Sequence, residues 1–521
     1  MSNRSRAVRD VADVQSEQLA DQTHDVAQRG PSRTGTRKTA ILGIICISYF
    51  MVILDNSIIF TGLPSIQASM HFGATGLTWV QNAYTLVFGG LLLLGARAGD
   101  ILGRRRMFVW SLVVFGSASF LVGIAPLRWW LIAARAFQGV GAAILAPSAL
   151  ALLTATFTES RERGRAVAAY SAVAGIGASA GLVVGGVLAD WISWRAGFFL
   201  NVPIGMAMLL AALRILKREP PTQRGRFDVR GALFATLGMT AVVFGVINAA
   251  ESGWGALSTI GSLLVGALLL SGLVLNEARA EQPIMPLRLF ADRQRVGAYL
   301  TRLLFLGAMI GFFFFTTQYL QDVLGFSPLQ AGFAFLPMSA MNFAVAVLVT
   351  RIIGRIGATP TLIVGVAVTL AGMVWLSRVE LTSGYLSAVA PPMVLIGIGQ
   401  GLAFAPMTSA GLHQVAGPDA GASSGLVNTF HQLGSAVGLS VLAALGAAAA
   451  SATAAPTQAV VQRVTAALTG GSVLLSIALG AVVTLIATWR SSAAESAPLN
   501  PVKRTDPSSS TQIVQAEETT S

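Results

Sequence analysis

Charge is what this sequence has least of. Only 11% of its 521 residues are Asp, Glu, Lys or Arg, against about 25% in a typical soluble domain. So little charge cannot cover a water-facing surface of this size, which excludes a string of soluble domains. Cysteine is nearly absent as well. Cys46 stands alone, so an internal disulfide and a thiolate metal cluster are ruled out; inside an apolar run it reads as a small filler. The four histidines fall in no metal-ligand spacing, and no metal is expected. No phosphate loop of the GxxxxGK[ST] kind occurs, which removes ATP as a source of energy. No enzyme chemistry and no cofactor are read from the chain.

What the sequence has is apolar length. Hydrophobic residues make up 54% of it, and the mean hydropathy is +0.68. A helix needs about 20 apolar residues to cross the hydrocarbon core, and by that threshold about fourteen spans are predicted. They fall at 41–62, 79–96, 107–126, 129–153, 166–189, 196–216, 232–250, 258–276, 297–318, 330–350, 360–378, 387–410, 420–449 and 464–489. The net charge of +12 comes from arginines in short loops between these spans. That pattern sets topology and is not a phosphate-binding face, so nucleic acid is not an expected partner.

One set of alternate loops holds Arg37 and Lys38, Arg104 to Arg106, Arg161 to Arg165, Lys217 to Arg230, Arg351 and Arg355, and Arg490. The other set holds little beyond Arg128, Arg195, Arg378 and Arg463. The positive-inside rule therefore places both termini in the cytoplasm, as an even number of spans requires. Residues 1–38 and 491–521 are polar and read as disordered cytoplasmic tails; the first is too long and too acid-containing for a secretory signal. Spans seven and eight follow the longest charged inner loop. Setting them aside leaves six spans on each side, the arrangement of two packed transporter halves. The expected fold is an all-α polytopic membrane protein. It has one six-helix bundle over 39–218, a linker with two extra helices over 219–295, and a second bundle over 296–490. A faint repeat supports this: Gly99-Asp100-Ile101-Leu102-Gly103-Arg104 follows span two, and Arg351-Ile352-Ile353-Gly354-Arg355-Ile356-Gly357 follows span ten.

Several residues stand out against this apolar background. Asp55 is the only carboxylate deep in an apolar run of the first half, about 21 Å along its helix from Ile41. An ionisable group there is costly and marks function by default. Arg135 lies about 10 Å inside span four, a depth similar to that of Asp55, and Gln138 at i+3 shares its face. Gly177, Gly181, Gly185 and Gly186 form a stripe that lets another helix approach closely. Gly95 to Arg106 is a connector too short to be a domain, with glycines, one acid and a block of arginines. Trp191 to Gly205 is rich in aromatics that suit a membrane interface.

Five motifs, in order, carry a specific resemblance. They are Leu54-Asp55-Asn56-Ser57 with Leu63-Pro64, the Gly95–Arg106 connector, Arg135 to Gly141, the Gly177–Gly186 stripe, and Trp191 to Gly205. With these the chain resembles the major facilitator superfamily, and within it the fourteen-span drug:proton antiporters, over residues 41–490. The resemblance implies that Asp55 and Arg135 face each other across a cavity and couple protons. A nearby positive charge favours the ionised carboxylate and burial favours the protonated one, so the group is easily switched; a purely structural pair is the alternative. Gly95, Gly99, Asp100, Gly103 and Arg104 would form a cytoplasmic gate. In it Asp100 would accept from the N-terminus of span thirteen near Gly421, where the helix dipole favours an anion.

Gln138, Gln318, Asn428 and Gln432 become substrate-cavity candidates, and the last three serve equally as hydrogen-bonding glue between helices. Phe312 to Phe315 offers an aromatic surface to cargo or to lipid. His431 is a candidate proton carrier or a structural residue. The glycine stripe matches the exporters' antiporter motif, with Leu182 where that motif carries proline; Arg97 stands where the connector motif often has an apolar residue. The implied function is proton-coupled export of drugs, antibiotics or other amphipathic organic compounds across a bacterial cytoplasmic membrane. The implied partners are a small organic substrate, protons and the bilayer. The oligomeric state is open and compatible with a monomer. A dedicated exporter of one secondary metabolite, an uptake symporter and a non-transporting receptor are the alternatives.

Overall fold

In hydrocarbon every backbone N–H and C=O must find a partner within the chain, and a long apolar run does so by coiling into a helix. Each predicted run is a helix in the computed structural model, which describes residues 33–73, 75–216, 228–281, 283–415, 419–451, 453 and 455–487. The expected tails, apart from residues 33–38, and most of the charged loop after Leu216 lie outside the described residues. The first half contains α1 (Arg33–Met70), α2 (Thr78–Leu102), α3 (Arg104–Gly123), α4 (Arg128–Thr156), α5 (Ser160–Trp191) and α6 (Trp194–Ile215). The extra pair is α7 (Val229–Ser252) and α8 (Leu257–Arg279). The second half contains α9 (Arg293–Gln318), α10 (Pro328–Ile356), α11 (Ala358–Leu376), α12 (Ala390–Gly411), α13 (Ala420–Ala449) and α14 (Pro456–Ala481). Among the described residues, thirteen segments are long and apolar enough to cross a membrane; within α5, the stretch Ile176–Trp191 is apolar. α6 relaxes at Leu200 and α10 at Phe335.

The helices outrun the predicted spans. α1 continues through Pro64 to Met70, and α14 starts at Pro456. The connector between spans two and three shrinks most. Helix α2 runs through Gly95, Gly99 and Asp100 to Leu102, and α3 begins at Arg104. Only Gly103 separates them, with φ 96°, a left-handed conformation that side chains resist. The second half repeats the device: Gly357, φ 89°, is the single residue between α10 and α11. The sequence repeat is therefore a repeat of geometry.

The two halves meet along α2 with α13 and along α5 with the start of α10. Asn82 Nδ2 donates to Ser440 Oγ (2.8 Å) and Thr429 Oγ1 to the Gly89 carbonyl (3.3 Å) across the first seam. The extra pair does not stand apart. Helix α7 packs against both α2 and α13, alongside the seam, and α8 packs on α7. Asn276 binds the Asp228 carboxylate at 2.8 and 3.0 Å, tying the ends of α7 and α8 together. The face at which α1 starts is the terminal face, and the opposite one, where α1 ends and α10 begins, is the distal face.

Phe312, Phe314 and Phe315 are buried core residues, and Phe313 stacks on Phe60 of α1 at 5.4 Å. The expected aromatic surface is thus an internal contact between halves near the distal face. Four phenylalanines in sequence point to all sides of a helix, and around them α9 is surrounded by other helices.

Candidate functional site

Asp55 is 1% exposed and Arg135 fully buried. They do not face each other across an open cavity. Arg135 Nη1 donates directly to Asp55 Oδ2 at 2.8 Å. The other carboxylate oxygen, Oδ1, accepts from Gln138 Nε2 at 2.8 Å and from Asn201 Nδ2 at 2.7 Å. Helices α1, α4 and α6 are thereby joined through one carboxylate.

The surroundings fix each partner. Gly139 and Gly141 let α4 lie against neighbouring backbones: a Cβ would stand 2.6 Å from the Tyr84 carbonyl oxygen and 2.7 Å from the Phe115 nitrogen respectively. That proximity brings α2 and α3 to the site. Arg135 Nε donates to the Val80 carbonyl (3.0 Å), and its guanidinium lies 4.4 Å from the centre of the Tyr84 ring. Gln138 is held on both sides: its Oε1 accepts from Arg135 (2.6 Å) and its Nε2 also donates to Ser119 Oγ (2.8 Å). Three atoms remain buried without a partner among the described residues: Arg135 Nη2, Asn201 Oδ1 and the Tyr84 hydroxyl. A charged pair out of water stays bound only when its remaining donors and lone pairs are satisfied. Here the carboxylate meets that condition, whereas both N–H donors of Arg135 Nη2 are left over,.

The four expected cavity residues are not brought together. Gln138 belongs to the Asp55 network. Gln318 lies at the distal end of α9, 6% exposed, with its amide 3.5 Å from the Phe314 carbonyl. Gln432 packs against Gly89 in the α2–α13 seam. Asn428 alone is exposed, with Nδ2 donating to the Ser424 carbonyl at 3.2 Å.

The glycine stripe divides its work. A Cβ at Gly177, Gly181 or Gly185 would stand 2.5–3.1 Å from atoms of α1, so these three seat α5 on the helix that carries Asp55. Gly186 faces the other half, where a Cβ would lie 2.6 Å from the Pro328 carbonyl oxygen. Gly332 reciprocates at 2.5 Å from the Leu182 carbonyl oxygen. Leu182 is itself buried in this seam. At the terminal face, a Cβ at Gly95 would fall 2.2 Å from the Ala143 carbonyl oxygen of α4, whereas Gly99 has room. Arg104 is the first residue of α3. The side chain of Asp100 lies outside the described residues, and with it the expected contact to α13.

Sequence reasoning missed Asn201 and Arg302. Asn201 falls inside a motif read as interfacial anchoring, yet it begins the second part of α6 and is fully buried against Asp55. Arg302 is a buried cation in α9 (7% exposed); a search for intramembrane charges of both signs finds it in the sequence.

Comparison with known proteins agrees with this architecture. The model of the family described as Major Facilitator Superfamily matches residues 45–439. The chain is 41% identical over 423 residues to the cephamycin export protein CmcT of Amycolatopsis lactamdurans, covering 80% of this chain and 87% of that one. It is 39% identical over 406 residues to the puromycin resistance protein pur8 of Streptomyces alboniger, covering 77% and 80%. Among solved structures, the transporter PepTSo of the POT family superposes with a TM-score of 0.61 at 14% identity, covering 88% of this chain and 99% of the other. A bacterial homologue of the lysosomal transporter Spinster, inward-facing and occupied, gives 0.60 at 15% identity, covering 89% and 98%.

Proposed function

The chain belongs to the major facilitator superfamily, and from that premise we propose that it is a proton-driven exporter of amphipathic organic compounds such as antibiotics. It works as two six-helix halves, residues 39–218 and 296–490, rocking about a central space, with both termini in the cytoplasm of a bacterium. The observation that carries the reading is the Asp55 carboxylate, the single buried one of the first half among the described residues, held by Arg135, Gln138 and Asn201. The relatives named for cephamycin export and puromycin resistance support the cargo class.

The coupling follows from the hydrogen-bond inventory. All three groups on Asp55 donate to it, so the site is built for the ionised form. A proton arriving on the carboxylate removes the charge that holds Arg135 and needs an acceptor of its own. Asn201 supplies one, because its unpartnered Oδ1 comes into place when the amide turns over,. Protonation thus loosens α1 from α4 and changes the bond between α1 and α6. Asp55 is sealed in this conformation, so the proton enters and leaves only when the bundle opens. That restriction is what links proton movement to the conformational cycle and prevents a leak.

In everted vesicles or proteoliposomes made acid inside, cephamycin or puromycin should accumulate, and a protonophore should abolish the accumulation. Accumulation indifferent to the pH gradient would refute proton drive. The names of these relatives also favour a second reading, a dedicated exporter of one metabolite. Transport confined to a single compound in a panel would select it.

A further inference from the structure

We propose that the space between the halves contains an anion-docking site centred on Arg302, which takes the carboxylate or other singly charged anionic group of an amphipathic organic compound. The inference deepens the exporter reading and rests on it for the identification of the anion as cargo. Arg302 lies about 14 Å along α9 from Arg293. At 7% exposure its guanidinium should cost heavily unless paired. In the first half Arg135 has Asp55. Among the described residues no carboxylate lies within ion-pair distance of Arg302.

Its neighbours are neutral and leave donors over. Nη1 donates to Thr408 Oγ1 on α12 at 2.8 Å. Nη2 approaches His431 Nδ1 on α13 at 3.4 Å; since arginine only donates, that ring is the tautomer with its proton on Nε2, a further donor. The guanidinium lies 5.3 Å from the centre of the Phe404 ring. Nε is buried with no partner among the described residues. A cation with an unused donor beside an aromatic face is half of a recognition site, and the missing half is an anion on an apolar body.

The site also has an approach. On α13, Gly425, Thr429 and Gln432 face α2, and Gly434 and Gly438 face α9. Asn428 lies on the stripe between them, one turn before His431, and is exposed, so it looks into the space between the halves. From the other half, Tyr49 of α1 is near enough to interact electrostatically with Arg302. Tyr49 is stacked on Tyr170 of α5 with centroids 4.1 Å apart.

The test uses the full chain in nanodiscs of neutral phosphatidylcholine, with 2-naphthylacetate and its uncharged amide as probes. The carboxylate should bind about ten- to a hundredfold more tightly than the amide, the range for a charge-assisted hydrogen bond. Arg302→Gln should bring the two affinities together while leaving the amide within about twofold. Arg302→Lys, which keeps the charge and serves if the glutamine variant does not fold, should retain part of the preference. Equal affinities in the unaltered chain, or a preference that survives Arg302→Gln, would overturn the proposal. Competition by phosphatidylglycerol that depends on Arg302 would identify a lipid headgroup as the anion, and its absence a soluble one; either supports the site. Everted vesicles separate the two readings. A carboxylate that binds through Arg302 but is never moved on a pH gradient removes the exporter reading and leaves the site. Gradient-driven movement of both probes with no preference removes the site and leaves the exporter.

Discussion

Alanine at Gly186 tests whether the distal seam is a moving contact. The added methyl would stand 2.6 Å from the Pro328 carbonyl oxygen and 3.0 Å from the Leu329 Cα. Both obstacles are backbone of the opposite half, so no rotamer change relieves them. Ordinary contact needs about 3.5 Å, and the seam must open by close to 1 Å. Overpacking of this kind costs about 1–3 kcal/mol. Only conformers with the distal face closed bear that cost. The equilibrium should therefore move toward the distal-open conformer by about 5- to 150-fold. The reporter is Ala331→Cys, fully buried in the seam, in a Cys46→Ser background, alkylated by a membrane-impermeant maleimide. Gly186→Ala should raise the alkylation rate within that range. Gly177→Ala, on the same helix but facing Ile53 and Phe50 of α1, should leave it unchanged. A rate unmoved by Gly186→Ala would mean that the seam never opens, and the alternating-access account would fall.

Arg135→Gln leaves a buried carboxylate without its counter-ion and should destabilise the protein by about 3–5 kcal/mol, read as a lower unfolding temperature in detergent; an unchanged temperature would contradict the pairing. Gly103→Ala and Gly357→Ala force a methyl into the left-handed region and should each cost about 1–2 kcal/mol in the same assay, with no effect if the turn relaxes freely. Outside the membrane spans, Arg288 binds the Asp419 carboxylate through two bonds of 2.6 and 2.7 Å, and these hydrogen bonds hold Asp419 below the usual carboxylate range. A depressed carboxylate stabilises above its unfolded pKa, and the contribution disappears as pH falls through the folded value. Hydrogen exchange around residues 287–295 should therefore be faster in Arg288→Gln at pH 7, and the difference should vanish in strong acid; a difference that persists there would refute this.

Much of the architecture could be read from hydropathy because the bilayer leaves the backbone so few choices. Depth arithmetic placed Asp55 and Arg135 at one level, and the i+3 spacing put Gln138 on the same face as Arg135. Neither shows that this face points into the bundle, so Gln138 reads as a cargo contact, whereas its amide is occupied by Asp55 and Ser119. The connector after α2 is shorter than its charges suggest: Arg97 reads as a helix end, whereas a long side chain lets a helix keep its charge near the membrane surface,. Asn201 escaped because its partner is 146 residues away and no local pattern signals such a contact. Arg302 escapes a reading that looks for acids alone within the apolar runs. A buried cation with neutral neighbours speaks only when its surroundings are known.

The most direct measurement is of proton movement evoked by substrate, using a pH dye trapped in proteoliposomes that hold either the unaltered chain or Asp55→Asn. The account predicts that the unaltered protein moves protons when cephamycin or puromycin is added on the loading side. Asp55→Asn should move none while still binding the compound. Substrate-evoked proton movement at the original rate in Asp55→Asn would show that the buried carboxylate is a structural brace and that the proton travels elsewhere.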